Sequence, residues 1–219
     1  MSAPRRVRLT PEARRAQLIK LGVEMLATRT LDELSVELIA QAAGISRGLL
    51  FHYFASKQEF HLEVARAAAG EMIRRTEPDL ALPPVEALRK ALDAFVAYVE
   101  DNPDSYKSLV RGAASGDVEM RAIFDATRAT MAQRIIVVLD QLGFTLSERA
   151  SLAVHGWVAY VEECVVRWIA GSGAEGETLG REAVLDMLTK SLPAVALAAS
   201  DGEIGTLVEI LTATEQPTT

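Results

Sequence analysis

The chain has 219 residues, 49% of them hydrophobic and 24% charged, with a formal net charge of −7. That much apolar material excludes global disorder, and the single cysteine, Cys164, excludes an intrachain disulfide and suits a reducing compartment. No uncharged apolar run approaches the roughly 20 residues that cross a bilayer, and the opening MSAPRRVRLTPEARR lacks the apolar core of a signal peptide, so a cytoplasmic protein without a membrane segment is expected.

The charge is unevenly spread. Residues 1–60 hold nine Lys/Arg against six Asp/Glu, a surplus of +3, which leaves −10 on residues 61–219. A basic head on an acidic body suits an anionic partner at one end.

In chain order, Thr10-Pro11 is an N-cap followed by proline at the first helical position, and it predicts a helix to about Thr28 with Leu18, Leu21, Met25 and Leu26 on its apolar side. After a link over Leu31–Leu34, Ser35 caps a helix over 36–42. Gly44 supplies a turn needing positive φ, and Ser46 caps a helix over 47–53. Ser56 and Glu59 have capping-box spacing and open a long helix over 56–76. Pro78, Pro83 and Pro84 end it. Further helices are expected near 84–101, 103–114, 117–141, 147–170 and 178–199, separated by Asn102-Pro103, Gly116-Asp117, Gly143 and the glycine-rich 171–176. Sustained two-residue alternation is absent, so no sheet is expected. A further short helix is expected after Ser200, with a frayed end.

The segment from Leu34 to Phe60 has the form of a helix-turn-helix, whose second helix enters the DNA major groove. Ser46 orients that helix's N-terminus toward phosphate or base edges. Arg47 can span guanine O6 and N7, Gly48 permits close approach, Leu49 can meet a thymine methyl, and His52 shares their face. Ser35, Tyr53 and Lys57 complete the expected DNA contacts, the last two on phosphates. Ile39, Ala43, Leu50, Phe51, Phe54 and Phe60 are assigned to the core. Arg5, Arg6 and Arg8 form a basic arm suited to the minor groove.

Ile39-Ala40, Ala43-Gly44, Ser46, Gly48, Leu50, Phe51, Tyr53-Phe54 and Lys57 resemble the DNA-binding signature of the TetR family of bacterial repressors over residues 10–60. Phe51 departs from it, since many members carry tyrosine there and its hydroxyl bond to phosphate is lost. The resemblance implies an all-α protein: a three-helix head at 1–60, a connecting helix at 56–76, a larger effector-binding and dimerisation body at 61–200, and a tail at 201–219. It also implies a homodimer, a palindromic operator and a small-molecule effector.

Helices 147–170 and 178–199 are the expected dimer elements, the first being apolar almost all round. Phe95, Val99, Tyr106, Met120, Phe124, Thr127, Met131, Trp157, Tyr160, Val161 and Cys164 are the expected effector contacts, and their apolar character points to a lipophilic ligand. Glu163, Arg111 and Arg167 are candidate polar anchors.

Other chemistry finds less support. Gly171–Gly176 matches a dinucleotide fingerprint but follows a helix rather than a strand. His52, His61 and His155 lack metal-ligand spacing with Cys164, and no nucleophile elbow occurs. Glu162-Glu163 reads as a solvated or ion-paired helix face. No cofactor or metal is expected. The favoured function is a ligand-released repressor; the alternatives are an activator of the same fold, or a carrier or enzyme that retains a DNA-binding head.

Overall fold

The computed structural model describes residues 9–114, 116–141, 146–171 and 179–199, with the side chains of 105 and 111–114 excepted. The described residues form nine α-helices and no strand: α1 Pro11–Met25, α2 Val36–Ala43, α3 Arg47–Tyr53, α4 Lys57–Arg75, α5 Pro84–Asp101, α6 Pro103–Ala114, α7 Val118–Gln141, α8 Glu148–Gly171 and α9 Arg181–Ala199. The basic arm, Gly143, the glycine-rich 172–176, the side chain of Arg111 and everything after 199 lie outside the described residues. Two compact units divide the chain. The first holds the described part of Met1–Gly70 with Asp104–Ile123; the second holds Glu71–Pro103 with the described part of Phe124–Thr219.

The helix starts of the first unit follow from side-chain caps. Thr10 Oγ1 accepts from Ala13 N at 3.2 Å, Ser35 Oγ from Leu38 N at 3.1 Å and Ser46 Oγ from Leu49 N at 3.2 Å. Ser56 Oγ accepts from Glu59 N at 3.0 Å, while the Glu59 carboxylate reaches back to Ala55 N at 2.6 Å. α2 ends where Gly44 takes φ 64° and ψ 36°. Ile45 N then donates to Ala40 O at 3.0 Å and Gly44 N to Gln41 O at 3.1 Å, the paired bonds of a Schellman turn.

Leu18, Leu34, Ile39, Leu50, Phe54, Phe60 and Val64 are wholly buried and form one core. The rings of Phe54 and Phe60 meet edge to face, 5.0 Å between centroids and 76° between planes. The Arg15 guanidinium covers Phe54 at 4.9 Å and pairs with Glu63 at 3.0 Å, which holds the Glu63 carboxyl below its ordinary value. α1 and α4 cross tightly at Gly22, where a Cβ would stand 2.5 Å from Val64 Cγ2 and 3.0 Å from Phe60 Cζ. Beside this core the buried His61 Nε2–H donates to Leu34 O at 2.9 Å. Burial depresses the pKa of that imidazole, with the Leu34 carbonyl opposing more weakly.

In the second unit α9 packs against α8 and α5. Val184, Leu185, Leu188, Leu192 and Ala196 recur along the inner side of α9, facing a core that includes Val154, Trp157, Val161 and Val165 of α8 and Leu92, Val96 and Val99 of α5. Trp157 Nε1 donates to Ser191 Oγ at 2.8 Å, whose hydroxyl donates on to Leu188 O at 2.7 Å. Arg181 ties the start of α9 to Asp93 and to Glu100 of α5, the latter at 3.1 Å. Arg134 Nη1 donates to Ile73 O at 2.6 Å, satisfying a carbonyl of the last turn of α4.

Three consequences can be measured by chemical denaturation. Gly22→Ala should destabilise by about 1–3 kcal/mol, because the stiff Val64 side chain cannot yield without moving backbone. Gly70→Ala, where an added Cβ meets nothing within 4 Å, should stabilise by roughly 0.5–1 kcal/mol. Because the folded pKa of His61 lies below its unfolded value, the unfolded chain binds the extra proton. The contribution is therefore fully present above about pH 6.5 and is lost as pH falls below it. His61→Gln, which keeps a donor for Leu34 O, should flatten the stability profile below pH 6.5; an unchanged slope would reject the assignment.

Candidate nucleic-acid interface

α3 is a seven-residue helix fixed on one side and open on the other. Leu50 and Phe54, four residues apart, point into the core at 0% and 1% exposure, while Arg47, Gly48, Leu49 and His52 are exposed and Tyr53 is half-buried. A Cβ at Gly48 would meet nothing within 4 Å, so the protein's own packing does not require glycine there. Leu49 leaves 39% of its surface in water, an unusual placement for leucine unless something else covers it. Ser46 caps the N-terminus of the helix, where the positive end of its dipole lies.

Phe51 corrects the sequence expectation. It is not core; it is 39% exposed, and the Arg47 guanidinium lies 5.7 Å from its ring centroid. With Leu50 directed inward, the next residue is turned about 100° around the axis, and four residues separate it from Arg47, so the two share the outer face. Ala43, also assigned to the core, is only half-buried. Ile39, Leu50, Phe54 and Phe60 lie in the core.

The exposed cations are held by local acceptors. Arg47 Nη1 pairs with Glu37 Oε1 at 2.8 Å, and Lys57 Nζ donates to Asp32 O at 3.3 Å. Glu37, in the first turn of α2, has no place in the sequence-level constellation, although its distance to Arg47 follows once α2 and α3 are packed together. Ser35 serves as the cap of α2. His52 and Tyr53 stack edge to face at 5.4 Å. The polar groups of this face are charged or hydrogen-bonding side chains without metal-ligand clustering; no group of three His, Cys, Asp or Glu suited to a metal ion occurs among the described residues.

The eleven expected effector contacts are dispersed. Tyr106 and Met120 are buried in the first unit, and the other nine belong to the second. Val99, Thr127, Trp157 and Val161 are buried, and Phe95, Phe124, Met131 and Cys164 are half-buried. Trp157 is occupied in packing α8 on α9 through Ser191. Tyr160 is 40% exposed. An open groove of about 620 Å³ in the second unit is lined by Pro78, Leu80, Arg134, Val137, Val138 and His155 among others, and by none of the eleven. Of the expected anchors, Glu163 and Arg167 are exposed and pair with each other. Glu162 is the departure: it is buried, and Arg128 Nε donates to its Oε2 at 2.7 Å.

Comparison with known proteins agrees with this geometry. The family model described as bacterial regulatory proteins, tetR family, matches residues 18–64, and one described as tetracyclin repressor-like, C-terminal domain, matches residues 84–201. A crystal structure of a TetR-family transcriptional regulator from Streptomyces coelicolor is 26% identical, covers 95% of this chain and 92% of its own, and superposes with a TM-score of 0.80. The transcriptional activator FasR of Mycolicibacterium smegmatis is 22% identical over 168 residues, 74% of this chain and 75% of that protein. The transcriptional repressor KstR2 of the same species is 38% identical over 80 residues, 36% of this chain and 39% of that protein. No described helix is long and apolar enough to cross a membrane. With both its head and its body matched, the chain belongs to the TetR family and is a DNA-binding transcriptional regulator of the helix-turn-helix type.

Proposed function

We propose that this regulator is a homodimeric repressor that binds a palindromic operator and leaves it when a mainly apolar small molecule occupies the body. The observation that carries the DNA-reading part is the two-sided character of α3: Leu50 and Phe54 fix the helix, and Arg47, Leu49 and His52 are presented outward. In this reading Arg47 leaves Glu37 for a guanine edge, Gly48 and Leu49 approach the groove floor, and His52 reads beside them. Ser35, Ser46, Tyr53 and Lys57 hold phosphates and set the register. The head spans 1–60, the helix at 56–76 joins it to the body at 61–200, and DNA as the partner makes the protein cytoplasmic.

Dimerisation is expected because two recognition helices must fall about 34–36 Å apart to meet successive half-sites. α8 and α9 supply the surface. Leu152, Gly156 and Tyr160 occupy successive exposed turns of α8, and Ala183, Met187, Ala194 and Leu197 are exposed on α9. Apolar stripes of this kind fit a four-helix bundle across a two-fold axis.

The effector residues proposed from sequence remain the candidates within the second unit, with Phe95, Val99, Phe124, Thr127, Met131, Val161 and Cys164 favoured over the exposed Tyr160. Release follows from linkage: a ligand that prefers a body incompatible with the operator lowers DNA affinity, and DNA lowers ligand affinity equally. Activation is the second reading, favoured by the match to an activator. The position of the operator relative to the promoter sets the sign, and transcription in vitro from a promoter carrying the selected operator separates the two.

Arg47→Ala should weaken binding to an operator selected from random DNA by about 1–3 kcal/mol and relax its sequence preference. Lys57→Ala should weaken all duplexes alike and reduce the salt slope by about one unit. Gel shift and fluorescence anisotropy report both, and equal loss on specific and random DNA for Arg47→Ala would reject its reading role. Leu197→Asp should yield a monomer in sedimentation with retained helicity; a dimer of unchanged stability would move the interface elsewhere.

A further inference from the structure

The Glu162–Arg128 pair is unlike the other ion pairs among the described residues of the second unit. Glu162 has 7% of its surface exposed, and Arg128 Nε meets its Oε2 at 2.7 Å. Its other oxygen, Oε1, is fully buried and has no hydrogen-bond partner among the described residues. Its neighbour Glu163 is exposed and paired with Arg167. A carboxylate withdrawn from water is stable only when its acceptor sites are filled, and native proteins rarely leave one empty without a reason.

The surroundings narrow the reason. One turn from Glu162 along α8 stand Val158, Val165 and Val166, and one turn from Arg128 along α7 stand Phe124 and Met131, all at least half-buried. Thr127, adjacent to Arg128, is buried. Asp125, also one turn from Arg128, is exposed, so the buried and half-buried flanks of the acceptor named here are apolar apart from Thr127. Arg128, its side chain 41% exposed, already balances the charge of the buried Glu162, so Oε1 calls for no added cation, and an anion would face a carboxylate oxygen. A neutral O–H or N–H fits both conditions.

We propose that Glu162, positioned by Arg128, is the polar anchor of the effector site, and that the effector is an apolar molecule carrying a neutral hydrogen-bond donor such as a hydroxyl. This rests on the effector-responsive reading given above and adds the chemical class. It also replaces Glu163 and Arg167, whose exposed pair lacks the burial that makes an anchor selective.

The test uses the full-length protein and a matched set of probes: n-octanol, methyl n-octyl ether and octanoate, titrated by calorimetry. The alcohol can donate, the ether can only accept, and octanoate is charged. The wild-type protein should bind the alcohol at least about tenfold more tightly than either. In Glu162→Gln, Arg128 requires an acceptor, so the amide oxygen turns to it and the amide N–H faces the ligand. The preference for alcohol over ether should then vanish or invert, which a purely structural ion pair would not produce.

Equal wild-type affinity for alcohol and ether overturns the anchor, as does an unchanged preference in Glu162→Gln. If that variant does not fold, the wild-type comparison decides alone. Failure of every probe to bind, while the protein still shifts an operator duplex selected from random DNA, sinks the anchor and leaves the regulator reading intact. Selective binding of the alcohol that fails to release that duplex supports the anchor and rejects effector release.

Discussion

The burial of Leu50 and Phe54 is the contact on which the DNA-facing end depends. A seven-residue helix has no independent stability in water, since nucleation costs more than so few hydrogen bonds return. α3 exists because these two side chains, four residues apart, enter a core built from α1, α2 and α4. Phe54 is fixed in turn by the edge of Phe60 and the face of Arg15. Removing one residue of register between the two anchors would rotate the outer face by about 100° and present different side chains to DNA.

That constraint explains how a chain of net charge −7 reads a polyanion. Affinity for phosphate is local: Arg47 and Lys57 stand on the exposed surface, and the whole of the acidic surplus lies after residue 60. In the free head Arg47 is paired with the Glu37 carboxylate, and Lys57 donates a hydrogen bond to the Asp32 backbone carbonyl. Both contacts are solvent-exposed, so giving either up costs little. The ion pair holds Arg47 in one orientation on the outer face of α3.

The body uses polar groups differently. At the ends of α5 and α9, Arg181 with Asp93 and Glu100 forms a solvent-reachable clasp of the usual kind. Between α7 and α8 a carboxylate is carried into apolar surroundings with one oxygen satisfied. The first arrangement secures helices; the second has a geometry that only an additional donor completes. Two of the expected effector residues, Tyr106 and Met120, belong to the first compact unit and nine to the second. Methionine and aromatic spacing reports that a helix face is covered, not what covers it.

Helix positions were legible along the chain because their determinants are local. Thr10, Ser35 and Ser46 cap within three residues of themselves, Gly44 accepts the positive φ that ends α2, and prolines mark the starts of α5 and α6. The fold class and the head's signature therefore stand in the sequence alone. Which face each helix turns outward is a property of its neighbours. Phe51 lies outside the core because Leu50 and Phe54 fill it, Glu37 meets Arg47 only once α2 and α3 are joined, and Glu162 is buried while Glu163 is not because the packing of α8 separates consecutive residues by about 100°. Side-chain burial depends on residues far apart in the chain, and spacing within one helix cannot supply it.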